Sequence, residues 1–149
     1  MIKINKMKGT YTLLIKVSEN KKIPVGKLGK INFKKGFYVY VGSALNGLEK
    51  RVERHLRKEK KIYWHIDYLL GEAEIVKVIY AKTDARFECK IAKNLERNLD
   101  CIKKFGCSDC GCESHLFYGI NLNDLNNHVS NAYAENGLTP EIYPRQDQI

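Results

Sequence analysis

At about 100° per residue, a helix over Leu45–Lys58 sets Arg51 and His55 side by side, one turn apart. They lie along one border of an apolar stripe made by Leu45, Leu48, Val52 and Leu56. Arg offers a planar, permanently charged fork of donors that suits a phosphate, and His passes a proton near neutral pH. The same wheel on Asp84–Leu99 puts Glu88 between Leu95 and Leu99, where a carboxylate is seldom tolerated unless it is paired or binds a cation. A single carboxylate completed by water is a common way to hold Mg²⁺ beside phosphates. Tyr11 and Tyr40 stand in two short glycine-containing runs, Gly9-Thr10-Tyr11 and Tyr40-Val41-Gly42. Each signal has a structural alternative: a solvated basic rim, a Glu turned back on a Lys or a backbone amide, and tyrosines packed at a sheet surface.

The elements that must position these groups follow from periodicity and turn residues. Gly9–Val17 and Phe37–Val41 are predicted core strands, and Glu74–Lys82 a third, from their β-branched and aromatic content. Helices are predicted over Leu45–Lys58, capped by Ser43 or Asn46, and over Asp84–Leu99, capped by Asp84, with a short helix in Ile62–Leu70. His65 and Asp67 in that short helix read as a hydrogen-bonded plug. Lys21–Gly36 is a Lys-rich, Gly-punctuated insertion with two candidate strands, at Ile23–Val25 and Lys30–Phe33. Downstream, His115–Ile120 is a short strand, Leu122–Leu138 weakly helical and Pro140–Ile149 loosely held. This order gives a small antiparallel or mixed sheet covered by helices.

The chain carries 26 basic and 17 acidic side chains, a formal charge of +9, with 44% apolar residues. Such a balance suits one folded domain and excludes general disorder. No run approaches the ~18 consecutive apolar residues of a membrane span, and the N-terminus has no apolar signal core, so the expected location is cytoplasmic. The charge is front-loaded: Met1–Lys61 holds 17 basic and 4 acidic residues, Ile62–Ile149 holds 9 and 13. A basic sector of that kind fits a nucleic-acid backbone, through Lys27, Lys30, Lys34, Lys35, Arg54 and Arg57, with attraction that is electrostatic, salt-sensitive and mainly sequence-independent.

Five cysteines in a reducing compartment are free thiols or metal ligands, since an odd number does not make a disulfide framework. Cys107, Cys110, Cys112 and His115 form a CxxCxC cluster followed by xxH. Holding four soft ligands within so short a span demands a very tight loop, because zinc sites normally use two separated pairs. A structural turn that points His115 at the active cleft is therefore favoured over a second metal site, zinc, at these four residues.

GTY followed by YVGSALNGLEKRVERH resembles the GIY-YIG nuclease superfamily, and ECKIAKNL, which begins at Glu88, is similar to that superfamily's metal-binding helix. YVYVGSALNGLEKRVERHLR, WHIDYLL and CGCESHLFY resemble its Uri-type stand-alone endonuclease branch. The gap between Gly9-Thr10-Tyr11 and Tyr40-Val41-Gly42 is longer than the superfamily's, so Lys21–Gly36 is expected to form an extra hairpin or lobe beside the site. The resemblance implies an α+β fold: a small, mainly antiparallel three-stranded core sheet flanked by helices. It implies one domain over residues 1–149, with a core of about 8–99, the insertion at about 21–36, and a Cys-rich segment and C-terminal extension over 105–149. It further implies a magnesium- or manganese-dependent endonuclease acting on nucleic acid, DNA in repair or processing, functionally associated with a base-excision repair enzyme. In that scheme Glu88 holds the Mg²⁺ or Mn²⁺, Arg51 stabilises phosphoryl charge, Tyr11 helps remove the water's proton, and Tyr40 and His55 orient or relay it. His115 or Asn121 would stand where the superfamily has a downstream Asn. The competing expectation is a non-catalytic nucleic-acid-binding module with the same fold.

Overall fold

The computed structural model describes residues 7–107 and 111–144. Its centre is β1 (Gly9–Val17), flanked by β4 (Gly36–Ala44) and β5 (Glu74–Lys82), both antiparallel to it. β1 is buried on both faces along almost its whole length, which is why GTYTLLIKV shows no apolar and polar alternation. One face carries Tyr11, Leu13, Ile15 and Tyr40 and packs against α1 (Leu48–Leu56) and α2 (His65–Leu70). The other carries Leu14, Val39, Val41 and Ile79 and packs against α3 (Glu88–Glu96) and α4 (Leu122–Glu135). Between β1 and β4, residues 21–33 form a separate two-stranded sheet, β2 (Lys21–Pro24) with β3 (Lys30–Phe33). Phe33 of this hairpin meets Tyr38 and Phe105 edge-on and joins it to the first core.

The chain is α+β, but the expected three-stranded core sheet is incorrect. Among the described residues the sheet has six strands in the order β6-β7-β4-β1-β5-β8, every neighbouring pair antiparallel. The additional strands are β6 (Asp100–Cys101), β7 (Leu116–Gly119) and β8 (Glu141–Tyr143). Strands of two to four residues are too short to show a period of two, and their placement is set by free edges on β4 and β5. β8 pairs with β5, and Tyr143 Oη donates to Glu53 Oε2 at 3.0 Å, so this part of the tail is docked, contrary to the expectation for Pro140–Ile149.

Both long helices are shorter than their periodicity suggests. Gly47, at φ 135°, is the residue before α1, because β4 runs on through Ser43 to Ala44 and leaves Ser43 unavailable as a cap. α3 starts at Glu88, and Asp84 is not its cap: Thr83 Oγ1 accepts from Ala85 N–H in a turn that uses up residues 83–85. α4 is capped by Asn121, whose side chain accepts from Asp124 N–H at 3.1 Å.

Tyr133 links α4 to the sheet centre: its fully buried hydroxyl bonds Thr12 Oγ1 at 2.8 Å and donates to Ile79 O at 3.2 Å. Tyr133→Phe keeps the ring but strands the Thr12 hydroxyl, so stability should fall by about 1–2 kcal/mol. A lower denaturation midpoint at unchanged slope is the expected signature, and an unchanged midpoint would contradict this role.

Candidate active site

β1 and β4 pair so that Tyr11 lies opposite Gly42, and Leu13 opposite Tyr40, which puts both tyrosines on one face. A Cβ at Gly42 would stand 2.5 Å from the Tyr11 ring and hydroxyl, so the absence of a side chain there is what lets the ring lie across β4. α1 crosses this face and turns His55 to Tyr11, with His55 Nε2 and Tyr11 Oη 2.8 Å apart in a buried hydrogen bond. Arg51, one turn earlier, donates from Nη1 to Ser43 O at 3.2 Å and lies over the Trp64 ring, 4.6 Å from its centroid. The end of β4, the start of β1 and the N-terminus of α3 surround a cleft of about 730 Å³, lined by Tyr11, Tyr40, Arg51, Glu88 and His115 among others. His55 does not line it but sits behind Tyr11, to which it is hydrogen-bonded.

Glu88 is the first residue of α3, its side chain 20% exposed, with Arg86 Nη1 at 3.4 Å. Arg86 is itself 69% exposed, so this ion pair is screened and weak. Arg54 is turned to Asp67. Its two terminal nitrogens reach Asp67 Oδ1 and Oδ2 at 3.0 Å each, and its guanidinium lies 4.3 Å from the Trp64 ring centroid. Asp67 is fully buried and also accepts from the N–H groups of Tyr63 and Trp64 at 2.8 and 2.9 Å. Trp64 is thus held by its backbone and flanked by two guanidiniums. Lys27, Lys30, Lys34 and Lys35 are exposed on or beside the β2–β3 hairpin and Arg57 at the end of α1, all outside the cleft lining.

Burial pushes the Tyr11 hydroxyl up to about 12 against the opposing charge of Arg51, and burial likewise holds Tyr40 well above its ordinary value. His55 is depressed to about 3, first by burial and then by Lys60, whose ammonium donates to His55 O at 2.7 Å. Its Nδ1 is buried with no hydrogen-bond partner among the described residues, as befits a neutral ring. Burial also lowers His65, whose Nδ1 accepts from Gly106 N–H at 3.0 Å, and His115, where Glu88 partly opposes the shift. Burial would raise Asp67, but Arg54 and the two backbone donors outweigh it and hold the carboxylate below its usual range.

Of the cysteine cluster, Cys110 lies outside the described residues, and Cys107 lines the cleft. Cys112 and His115 instead meet Cys89 of α3, and the three ligand atoms lie within 4.8 Å of one another. Cys89 escapes the spacing of the cysteine cluster because it sits in a different element; its position directly after Glu88 is the available signal. Trp64, the single tryptophan, was also missed, as were Tyr63 and Arg86 on the cleft rim. Asn121 caps α4, whereas His115 lines the cleft.

The fold and site define an α+β protein with a polar cleft at one end of an antiparallel sheet, where a carboxylate, an arginine and two tyrosines converge. Residues 10–138 match the family described as domain of unknown function DUF123, and the chain belongs to that family. No match to the chain is found among curated proteins or among solved structures. Among the described residues no helix is long and apolar enough to cross a membrane.

Buried His55 gives the site a pH signature. It is neutral in the fold, while in the unfolded chain it takes up a proton near 6.5, so the unfolded state binds more protons below that value and stability falls as pH falls. Asp67 adds its loss only as pH drops below its unfolded value of 3.8. The denaturation midpoint should therefore decline from pH 6.5 towards about 5, before carboxylates titrate, and His55→Gln should flatten that decline. A midpoint that is constant over this range would show that the His55 ring is not held neutral.

Proposed function

We propose that the protein is a divalent-metal-dependent endonuclease of the GIY-YIG superfamily, within its Uri-type branch, hydrolysing phosphodiester bonds in nucleic acid. The observation that carries this reading is the convergence of Tyr11, Tyr40, Arg51 and Glu88 on one cleft, with His55 bonded to Tyr11. DNA under repair or processing in the cytoplasm is the proposed substrate, and a base-excision repair enzyme the proposed functional associate.

The donor set suits Mg²⁺ or Mn²⁺: one hard carboxylate, partly exposed, beside a cleft with room for the waters such an ion retains. Held by Glu88, the ion would supply Lewis-acid stabilisation of the charge that grows on the phosphoryl oxygens. The chain's own groups do the rest. Arg51 is aimed before substrate arrives by the Trp64 ring and the Ser43 carbonyl, and it donates to the phosphoryl oxygens. Tyr11 remains a neutral hydroxyl at neutral pH and His55 a neutral ring. Tyr11 Oη, fixed by its 2.8 Å hydrogen bond to His55 Nε2, therefore acts by orienting the attacking water and assisting the departure of its proton to solvent in the cleft. Tyr40, on the cleft wall, helps to orient the water. The exposed lysines of the hairpin bind backbone phosphates beyond the cleft.

One observation favours the alternative of a binding module without turnover: Arg86 gives Glu88 a partner that needs no cation. Glu88→Gln separates the readings. It removes the charge that attracts the ion but keeps the side chain's size, so Mg²⁺-dependent nicking should vanish while DNA affinity and melting temperature persist. Arg51→Ala should cost about 3 kcal/mol of transition-state stabilisation, a hundredfold or more in rate. Nicking undiminished in Glu88→Gln would move the metal elsewhere. Absence of nicking by the parent protein on duplex, branched and single-stranded substrates would favour the binding module.

A further inference from the structure

Cys89, Cys112 and His115 come from two parts of the chain, the first turn of α3 and the segment leading into β7. Cys89 Sγ lies 3.9 Å from His115 Nε2, and Cys112 Sγ lies 3.9 Å from the Cys89 carbonyl. On a tetrahedral zinc, bonds of about 2.3 Å to sulfur and about 2.0 Å to nitrogen hold the ligand atoms about 3.5–3.8 Å apart. The observed limit of 4.8 Å thus needs only a small closure of side chains. His115 is fixed for this role by its backbone, which donates to Phe105 O at 2.9 Å and accepts from Val41 N–H at 3.0 Å. The objection to a zinc site, four ligands crowded into one tight loop, does not apply when α3 contributes a ligand.

We propose that Cys89, Cys112 and His115 bind one zinc ion, separate from the hard-cation position at Glu88, and that it ties the start of α3 to the strand-end segment beside the cleft. Two thiolates and an imidazole select a soft or borderline ion over Mg²⁺, whereas a lone carboxylate does the reverse, so adjacent residues 88 and 89 serve different metals. On binding, the two cysteine thiols release their protons to solvent, and no change of oxidation state occurs. Cys89 and His115 line the cleft, so the ion would border it. The zinc holds Cys89 in place and with it the backbone of Glu88, a positioning role. The inference does not rest on the nuclease reading, because it is tested by metal content and spectrum.

The full chain, stripped with chelator under reducing conditions, is titrated with Co²⁺. One equivalent should produce the intense visible bands of tetrahedral Co²⁺ together with sulfur-to-cobalt charge transfer, both abolished by Zn²⁺. Cys89→Ser and Cys112→Ser should each weaken the charge-transfer band, His115→Gln should shift the visible bands, and Glu88→Gln and Cys101→Ser should leave the spectrum unchanged. The weak absorption of octahedral Co²⁺ in the unaltered protein would overturn the proposal whatever the variants do. So would a tetrahedral spectrum that survives both Cys89→Ser and Cys112→Ser.

Discussion

The site's geometry depends on a single buried carboxylate. Asp67 accepts four hydrogen bonds, two from Arg54 and two from the backbone of residues 63 and 64, and so binds α1, α2 and their connection into one unit. Every one of its partners is a donor, so an amide in its place would bring an NH₂ group to where only acceptors fit. Breaking such a pair strands the Arg54 charge, which typically costs about 3–5 kcal/mol. Through Trp64 the effect reaches the cleft, because the ring that Asp67 fixes is the surface on which Arg51 lies. A charge pair away from the cleft lining thereby determines where the Arg51 guanidinium points.

The sheet supplies the second constraint. With helices on both faces, the cleft can open only where strands end, and the start of β1 and the end of β4 meet there. α1 approaches that end from one face with Arg51 and α3 from the other with Glu88, so two helices that belong to different cores contribute opposite charges to one cavity. The pairing of Tyr11 with Gly42 makes the junction narrow enough for Tyr11 to reach His55.

What could be read from the sequence was local. The 3.6-residue period placed Arg51 beside His55, and the three nine-residue strands were bounded to within a few residues, because those elements bury long apolar faces. Glu88 falls in an apolar stripe on the helical wheel, although its position at the start of α3 exposes it to the cleft instead of enclosing it. Features that depend on tertiary partners were missed. Arg54 looks like any rim arginine until Asp67 is brought beneath it, and Cys89 is unremarkable until residues 112–115 fold against α3. The short strands had no pattern of their own, since free sheet edges decide where they lie.

The central claim, that a hard divalent ion on Glu88 and the guanidinium of Arg51 share one phosphodiester, is tested most directly by anomalous diffraction from crystals grown with Mn²⁺ and a non-hydrolysable DNA duplex. The account predicts an anomalous peak on the Glu88 carboxylate, Arg86 turned away from it, and a backbone phosphate between that ion and Arg51. Manganese absent from the cleft, with Glu88 still paired to Arg86 and the DNA lying elsewhere on the surface, would contradict it.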